Sequence, residues 1–210
     1  MGIDRNKLEQ EAMRLLQKGQ TDRALERYQT LLRDDTRDLR VRQKVADLSL
    51  KLGNHKDAER HLREIARALK GAGKDRRAIG VYKQLLRLQK GDWSLEGDLG
   101  ECYLAAGFPT DARGCFQRVV DKLGRPHPDK AIPFQEKLVK LDPSSMPVRV
   151  RLGELFEAAG WGEKSFAHWS GLAAECRRLG LPDERARFLE RALKLRDDDN
   201  AVRVEAAEAR

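Results

Sequence analysis

Apolar positions recur three and four residues apart through most of this chain, as in Leu8, Ala12, Leu15 and Leu16, and again in Ala58, Leu62, Ile65, Ala66 and Leu69. That spacing lines one face of an amphipathic helix, and no stretch alternates with the period of two that a strand requires. Gly19, Gly53, Gly71, Gly107, Gly124, Gly160 and Gly180 punctuate the runs where C-terminal glycines would end helices. Thr21 or Asp22, Asn54, Asp75, Thr110, Ser144 or Ser145, and Asp183 stand where side chains would cap the following starts, with Pro147 and Pro182 close to two of them. The pattern predicts twelve helices in four groups of three. These are 5–18, 21–35 and 38–52; 55–71, 75–90 and 93–106; 110–124, 128–141 and 145–159; and 162–179, 182–196 and 199–210. Pro133 falls inside 128–141, which implies either a late start or a distorted first turn.

The groups repeat one another. Ala24, Ala78, Ala131 and Ala186 hold the same place in the phrases RALERYQTLL, RAIGVYKQLL, KAIPFQEKLV and RARFLERAL, at separations of 54, 53 and 55 residues. Gly53, Gly107 and Gly160 keep the same step. Self-similarity at a fixed period signifies an array in which each unit buries its apolar face on the next. The expected organisation is one all-α array over 1–210, with units of about 1–53, 54–107, 108–160 and 161–210.

Composition narrows the classes further. The chain is 40% hydrophobic, enough for a continuous core, and 36% charged, which suits helices laced with surface ion pairs. No apolar run approaches the ~18 residues of a membrane helix, so membrane insertion is not expected. The N-terminus MGIDRNKLEQE has no apolar signal region. Cys102, Cys115 and Cys176 form no CxxC pair and read as reduced thiols of a cytoplasmic protein. The net charge of +8 is unevenly spread. Residues 56–90 hold eleven basic side chains against four acidic ones, a net +7, which leaves the remainder close to neutral.

The phrases resemble the tetratricopeptide repeat, a 34-residue helical hairpin with small residues at its positions 8 and 20. Residues 5–38 supply Leu8, Ala12, Leu15, Gly19, Ala24, Tyr28 and Leu31 in order, and 39–72 supply Val45, Ala46, Gly53, Ala58, Leu62 and Ile65. Residues 93–126 supply Leu99, Gly100, Tyr103, Gly107, Ala112, Phe116 and Val119; 146–179 supply Leu152, Gly153, Phe156, Gly160, Ser165, Trp169 and Leu172. Helices 55–71, 110–124 and 162–179 must each close one repeat and open the next, which yields the period near 54. The resemblance implies a right-handed α-solenoid of antiparallel hairpins, similar to bacterial arrays that serve in assembly, secretion, motility or polar localisation. It implies a non-catalytic adaptor or scaffold that binds a protein or peptide and needs no cofactor. Clamping of a chaperone's terminal carboxylate is not implied, because position 9 is Met13, Asp47, Glu101 or Glu154 and never Asn.

Arg60, Arg63, Arg67 and Lys70 fall within one arc of helix 55–71, opposite Leu62, Ile65 and Leu69, and Lys74 lies just beyond its end. Only Glu59 and Glu64 are near enough in sequence to relieve this stripe. It reads either as a solvated helix face or as a docking surface for an acidic protein segment. Nucleic acid is the alternative partner, permitted by a pI near 9.5, but aromatics are 6% of the chain and form no stacking platform. A self-assembling array is a further alternative, because its last helix is short. Trp93 and Trp161 fall at turns and either anchor an interface or cover the end of a core. Gly97, Gly100, Gly114, Gly153 and Gly171 lie within helices; at position 8, Gly100 and Gly153 fit close packing. Catalytic patterns are lacking. His55, His61, His127 and His168 have no metal spacing; GAGKD at 71–75 lacks the Ser or Thr and the strand of a phosphate loop; GWGEKS at 160–165 lacks adjacent Gly and Lys.

Overall fold

The computed structural model describes residues 4–195. Among them are eleven α-helices and no strand. They are α1 (Arg5–Gln17), α2 (Thr21–Asp34), α3 (Leu39–Lys51), α4 (His55–Gly71), α5 (Asp75–Leu88) and α6 (Trp93–Ala105), then α7 (Pro109–Leu123), α8 (Pro128–Leu141), α9 (Met146–Ala158), α10 (Gly162–Leu179) and α11 (Pro182–Leu193). The twelfth expected helix, 199–210, lies outside the described residues. The chain divides into two compact units, Met1–Cys115 and Phe116–Arg210, with the division inside α7. In the first unit each helix from α2 to α6 packs on the one before it; in the second α8 packs on α9, α9 on α10 and α10 on α11. This consecutive packing is the build of an α-solenoid.

Two kinds of turn join the helices, and each kind recurs. In the first, the residue after a glycine donates its N–H back to the last turn of the finished helix. Gln20 donates to the carbonyl of Leu15, Asn54 to Ser49, Lys74 to Leu69, Phe108 to Tyr103, Trp161 to Phe156 and Leu181 to Cys176, all at 2.8–3.0 Å. The glycine between (19, 53, 73, 107, 160 and 180) has a positive φ, so a side chain there would be strained. In the second kind an aspartate caps the next helix. Asp38 accepts from the N–H groups of Arg40 and Val41, and Asp92, one period later, from those of Ser94 and Leu95.

Three expectations are corrected here. Gly71 is the last residue of α4 and Gly73 takes the left-handed place. Gly124 is buried, without positive φ, and an added Cβ would strike the Val120 carbonyl oxygen and Arg151 at 2.8 Å. Several expected caps also fail, since α2, α4, α5 and α11 start after Gln20, Asn54, Lys74 and Leu181 with no side-chain cap bond. The glycine turn already fixes the backbone of that residue, so no side chain has to. Around Pro133 the helix starts on time at Pro128, and the exposed ring lies inside α8.

The shared helix α4 buries a wide arc. In α4, Ala58, His61, Leu62, Ile65, Ala66 and Leu69 are all buried, covering both the α3 side and the α5 side. That leaves a narrow solvent ridge, and this width is what positions the charged residues below.

The second unit is organised around Trp169, which is fully buried with Leu172, Ala173, Cys176, Phe188, Leu189 and Ala192. Gly153 lies against its ring: a Cβ at 153 would meet three ring atoms at 2.5–2.8 Å. Gly153→Ala should therefore destabilise. Overpacking costs about 1–3 kcal/mol, against a helix-propensity gain of about 1 kcal/mol. Urea unfolding followed by far-UV circular dichroism measures the loss, and in a Trp169→Leu background the sign should reverse. A penalty that persists in that background would mean the ring is not the obstacle. Gly171, by contrast, is exposed with nothing near its absent Cβ, so packing does not explain it.

Candidate functional site

At about 100° per residue, the five expected cations do not share one role. Arg60 and Arg67 crown the exposed ridge of α4, opposite Leu62 and Leu69. Arg63 and Lys70, seven residues apart, lie on its flank and turn toward α6. Arg63 donates to Glu59 at 2.8 Å and to Asp92 at 2.9 Å. Lys70 bridges Asp98 at 2.7 Å and Glu101 at 2.5 Å. Lys74 stands apart from the ridge, as the last residue before α5.

The stripe is thus not unneutralised, as its own helix suggested. Besides Glu59 on α4 itself, its relief comes from the α6 side, 28–31 residues away. A signal for this was present in the repeat. Asp92 is the period-shifted copy of Asp38, and Asp38 pairs with Arg5 of α1. Arg40 of α3 also reaches Glu9 of α1 at 3.9 Å, and Arg42 of α3 pairs with Glu64 of α4. Cross-helix ion pairs therefore run from α1 to α3, α3 to α4, and α4 to α6 along one side of the first unit. Among the described residues Arg60 pairs with Asp57 alone, at 3.2 Å in an exposed pair, which is worth little. Among the described residues Arg67 and Lys74 show no ion pair.

Titration follows the same geometry. Burial alone would lower the Lys70 pKa, but the hydrogen bonds it donates to Asp98 and Glu101 outweigh this and hold the ammonium well above its ordinary value. Asp92 is held below the usual carboxylate range: burial opposes this, and the bonds from Arg63, Leu95 and Ser94 outweigh it. Tyr82 of α5 is pushed up by burial first, then by Asp98. Such pinned side chains form the joint between α4, α5 and α6, and the open charge is left to Arg60, Arg67 and Lys74.

The histidines sit differently. His61 is buried on α4 with an unpartnered Nδ1, and His168 contacts the Arg149 carbonyl through Nε2 at 2.8 Å. Burial holds both below their ordinary value, with nearby Arg60 and Arg42 adding to this at His61. A depressed folded-state pKa means the unfolded chain binds the proton first. Stability is then complete above the unfolded value of about 6.5 and is lost as pH falls through the folded values. The melting temperature should fall between pH 7 and pH 5, and His61→Asn with His168→Gln should flatten that slope. A slope that survives both changes would place it on other groups.

Trp161 stacks on Phe156 at 5.9 Å and carries Lys164 at 4.2 Å, so it covers the end of the α9–α10 hairpin. Cys102, Cys115 and Cys176 are buried thiols. Among the described residues no group of three or more His, Cys, Asp or Glu could hold a metal ion, and no helix is long and apolar enough to cross a membrane.

Comparison with known proteins agrees with the repeat. Two family models described as tetratricopeptide repeat match residues 15–72 and 63–131, and the two overlap on α4. The BBSome complex member BBS4 of Bos taurus is 28% identical over 122 residues, 51% of this chain and 24% of the relative, so the match spans about a quarter of that protein. Among solved structures, a thermophilic TPR protein of Thermus thermophilus shares 19% identity with a TM-score of 0.25, covering 98% of both chains. Pseudomonas aeruginosa pilF shares 18% with a TM-score of 0.34, covering 97% of this chain and 95% of that one.

Proposed function

Since the chain belongs to the tetratricopeptide repeat family, whose repeats are in general non-catalytic protein–protein interaction scaffolds, we propose that it is an adaptor that holds an acidic segment of a partner protein along the α4 ridge. Arg60 and Arg67 are the contacts, with Lys74 extending the positive field past the helix end. Arg63 and Lys70 shape the ridge without meeting the partner, because their charges are spent on α6. The observation that carries this reading is the split within one stripe: two cations are paired inward, and two on the same helix face are left outward. Opposed charge of this kind steers and orients a partner more than it adds affinity. The similarity to a BBSome complex member supports an assembly role, and three buried free thiols suit a cytoplasmic setting.

The test is affinity capture from the source organism at physiological salt, comparing the native chain with Arg60→Glu/Arg67→Glu. A protein held by the native chain and released by the variant, with an unchanged helical spectrum, supports the ridge. Equal retention by both overturns it, and so does capture that disappears on nuclease treatment, which would make nucleic acid the partner. Lys70→Met serves as the contrast: it should lower stability and leave capture intact.

A further inference from the structure

The turn from α4 to α5 and the turn from α6 to α7 lie side by side in the first unit and enclose an open depression of about 460 Å³. Its floor is Ala105 and Ala106, and its rim carries Lys74, Arg76 and Arg77. Phe108, 41% exposed, stands beside it with the Arg76 guanidinium 5.8 Å from its ring centre. The one acid among them, Asp75, offsets a single cation, so the lining of Lys74, Asp75, Arg76 and Arg77 keeps a net positive charge. Among the described residues neither Lys74 nor Arg77 has an ion-pair partner.

Two other depressions are built otherwise. The one at the α3–α4 turn sets Lys56 beside Asp57, with His55 as the ring in its lining. The one between α1 and α3 is smaller, about 200 Å³, and mixes Glu9 with Arg40 and Lys44. Cations, an apolar floor and an exposed ring come together at the α4–α5 and α6–α7 turns alone of these three.

We propose that this depression is a docking site for an acidic peptide segment carrying one aromatic or large aliphatic residue. The apolar side chain rests on Ala105, Ala106 and the rim of Phe108, and flanking carboxylates meet Lys74 and Arg77. A peptide fits better than a nucleic acid, because Arg76 lies over the Phe108 ring and Tyr103 meets it edge-on at 6.3 Å, which leaves little room for a base to stack. The site rests on the protein-binding reading above and shares Lys74 with it, but Arg76, Arg77 and Phe108 lie off the α4 ridge, so a partner gripped at both places gains in effective concentration.

The probe is a fluorescein-labelled acidic peptide with a single central phenylalanine, followed by anisotropy on the full chain. Phe108→Ala and Lys74→Glu/Arg77→Glu should each weaken binding about ten-fold or more, with circular dichroism unchanged, and Arg60→Glu/Arg67→Glu should leave it within about two-fold. The same peptide with alanine at its centre should bind about ten-fold more weakly. Phe108 is exposed, so its loss leaves the fold intact. Indifference to Phe108→Ala or to the central phenylalanine would overturn the proposal, leaving a polyanion surface only. So would equal competition by single-stranded DNA. If the ridge variant releases the captured partner while this peptide fails to bind, the proposed adaptor role stands and this site falls.

Discussion

Replacing Trp169 with alanine should destabilise the second unit by about 3–5 kcal/mol, a large part of the stability that a small domain has. The indole is fully buried, stacks on Phe188 at 5.6 Å, meets His168 edge-on at 5.8 Å, and has the Arg191 guanidinium 4.6 Å from its ring. Alanine would open a cavity that α9, α10 and α11 can close only by shifting together. Phenylalanine should cost much less. Nε1 of Trp169 is buried without a hydrogen-bond partner, and its removal relieves a penalty of about 1–3 kcal/mol that offsets part of the lost ring area. The measurement is urea unfolding by far-UV circular dichroism for all three proteins. Equal losses for alanine and phenylalanine would show that the indole nitrogen is satisfied, and a loss below about 1 kcal/mol for alanine would remove Trp169 from the centre of this core.

Trp169 also shows what the sequence conveys and where it stops. Its place at a core position of the repeat was legible, as was the small residue at Gly153 that faces it. Those features are local and recur, so a period exposes them. Helix order and the eleven described helices were legible for the same reason, to within a few residues at their ends. The left-handed turn at Gly73 was missed in favour of Gly71, although Gly53 and Gly73 are 20 residues apart, as are Gly160 and Gly180. Period alone would have placed it. The charged stripe was only half legible. Spacing within α4 puts Arg60, Arg63, Arg67 and Lys70 on one arc, but whether a cation is spent depends on acids contributed by another helix. Asp92, Asp98 and Glu101 reach Arg63 and Lys70 only because α4 and α6 come together, and no pattern within α4 records that. Phe108 was hidden by its position too, since a core match at Phe116 and an exposed turn residue carry the same side chain.

The sharing of α4 between two hairpins has a consequence for cooperativity. Leu62 is fully buried within the shared face, which it forms with Ala58, Ile65, Ala66 and Leu69. Leu62→Ala should cost about 2–5 kcal/mol, and the cavity it leaves touches both hairpins at once. In an array, stability is a sum of unit terms and neighbour terms, and a weakened α4 loosens the coupling of α1–α3 to α5–α6 along with the helix itself. The variant should therefore unfold at a lower urea midpoint and with a shallower slope in the first unit, since a smaller slope marks broken two-state behaviour. Leu85→Ala is the control: Leu85 is equally buried but lies on α5, whose buried stripe serves neighbours α4 and α6 without opening a second hairpin of its own. It should lower the midpoint by a similar amount and keep the native slope. Hydrogen exchange adds a spatial check, because loss of coupling should raise exchange in α3 and α5 together. If Leu62→Ala keeps the native slope and exchange rises on one side of α4 only, the helix belongs to one hairpin, and the 54-residue period needs another origin.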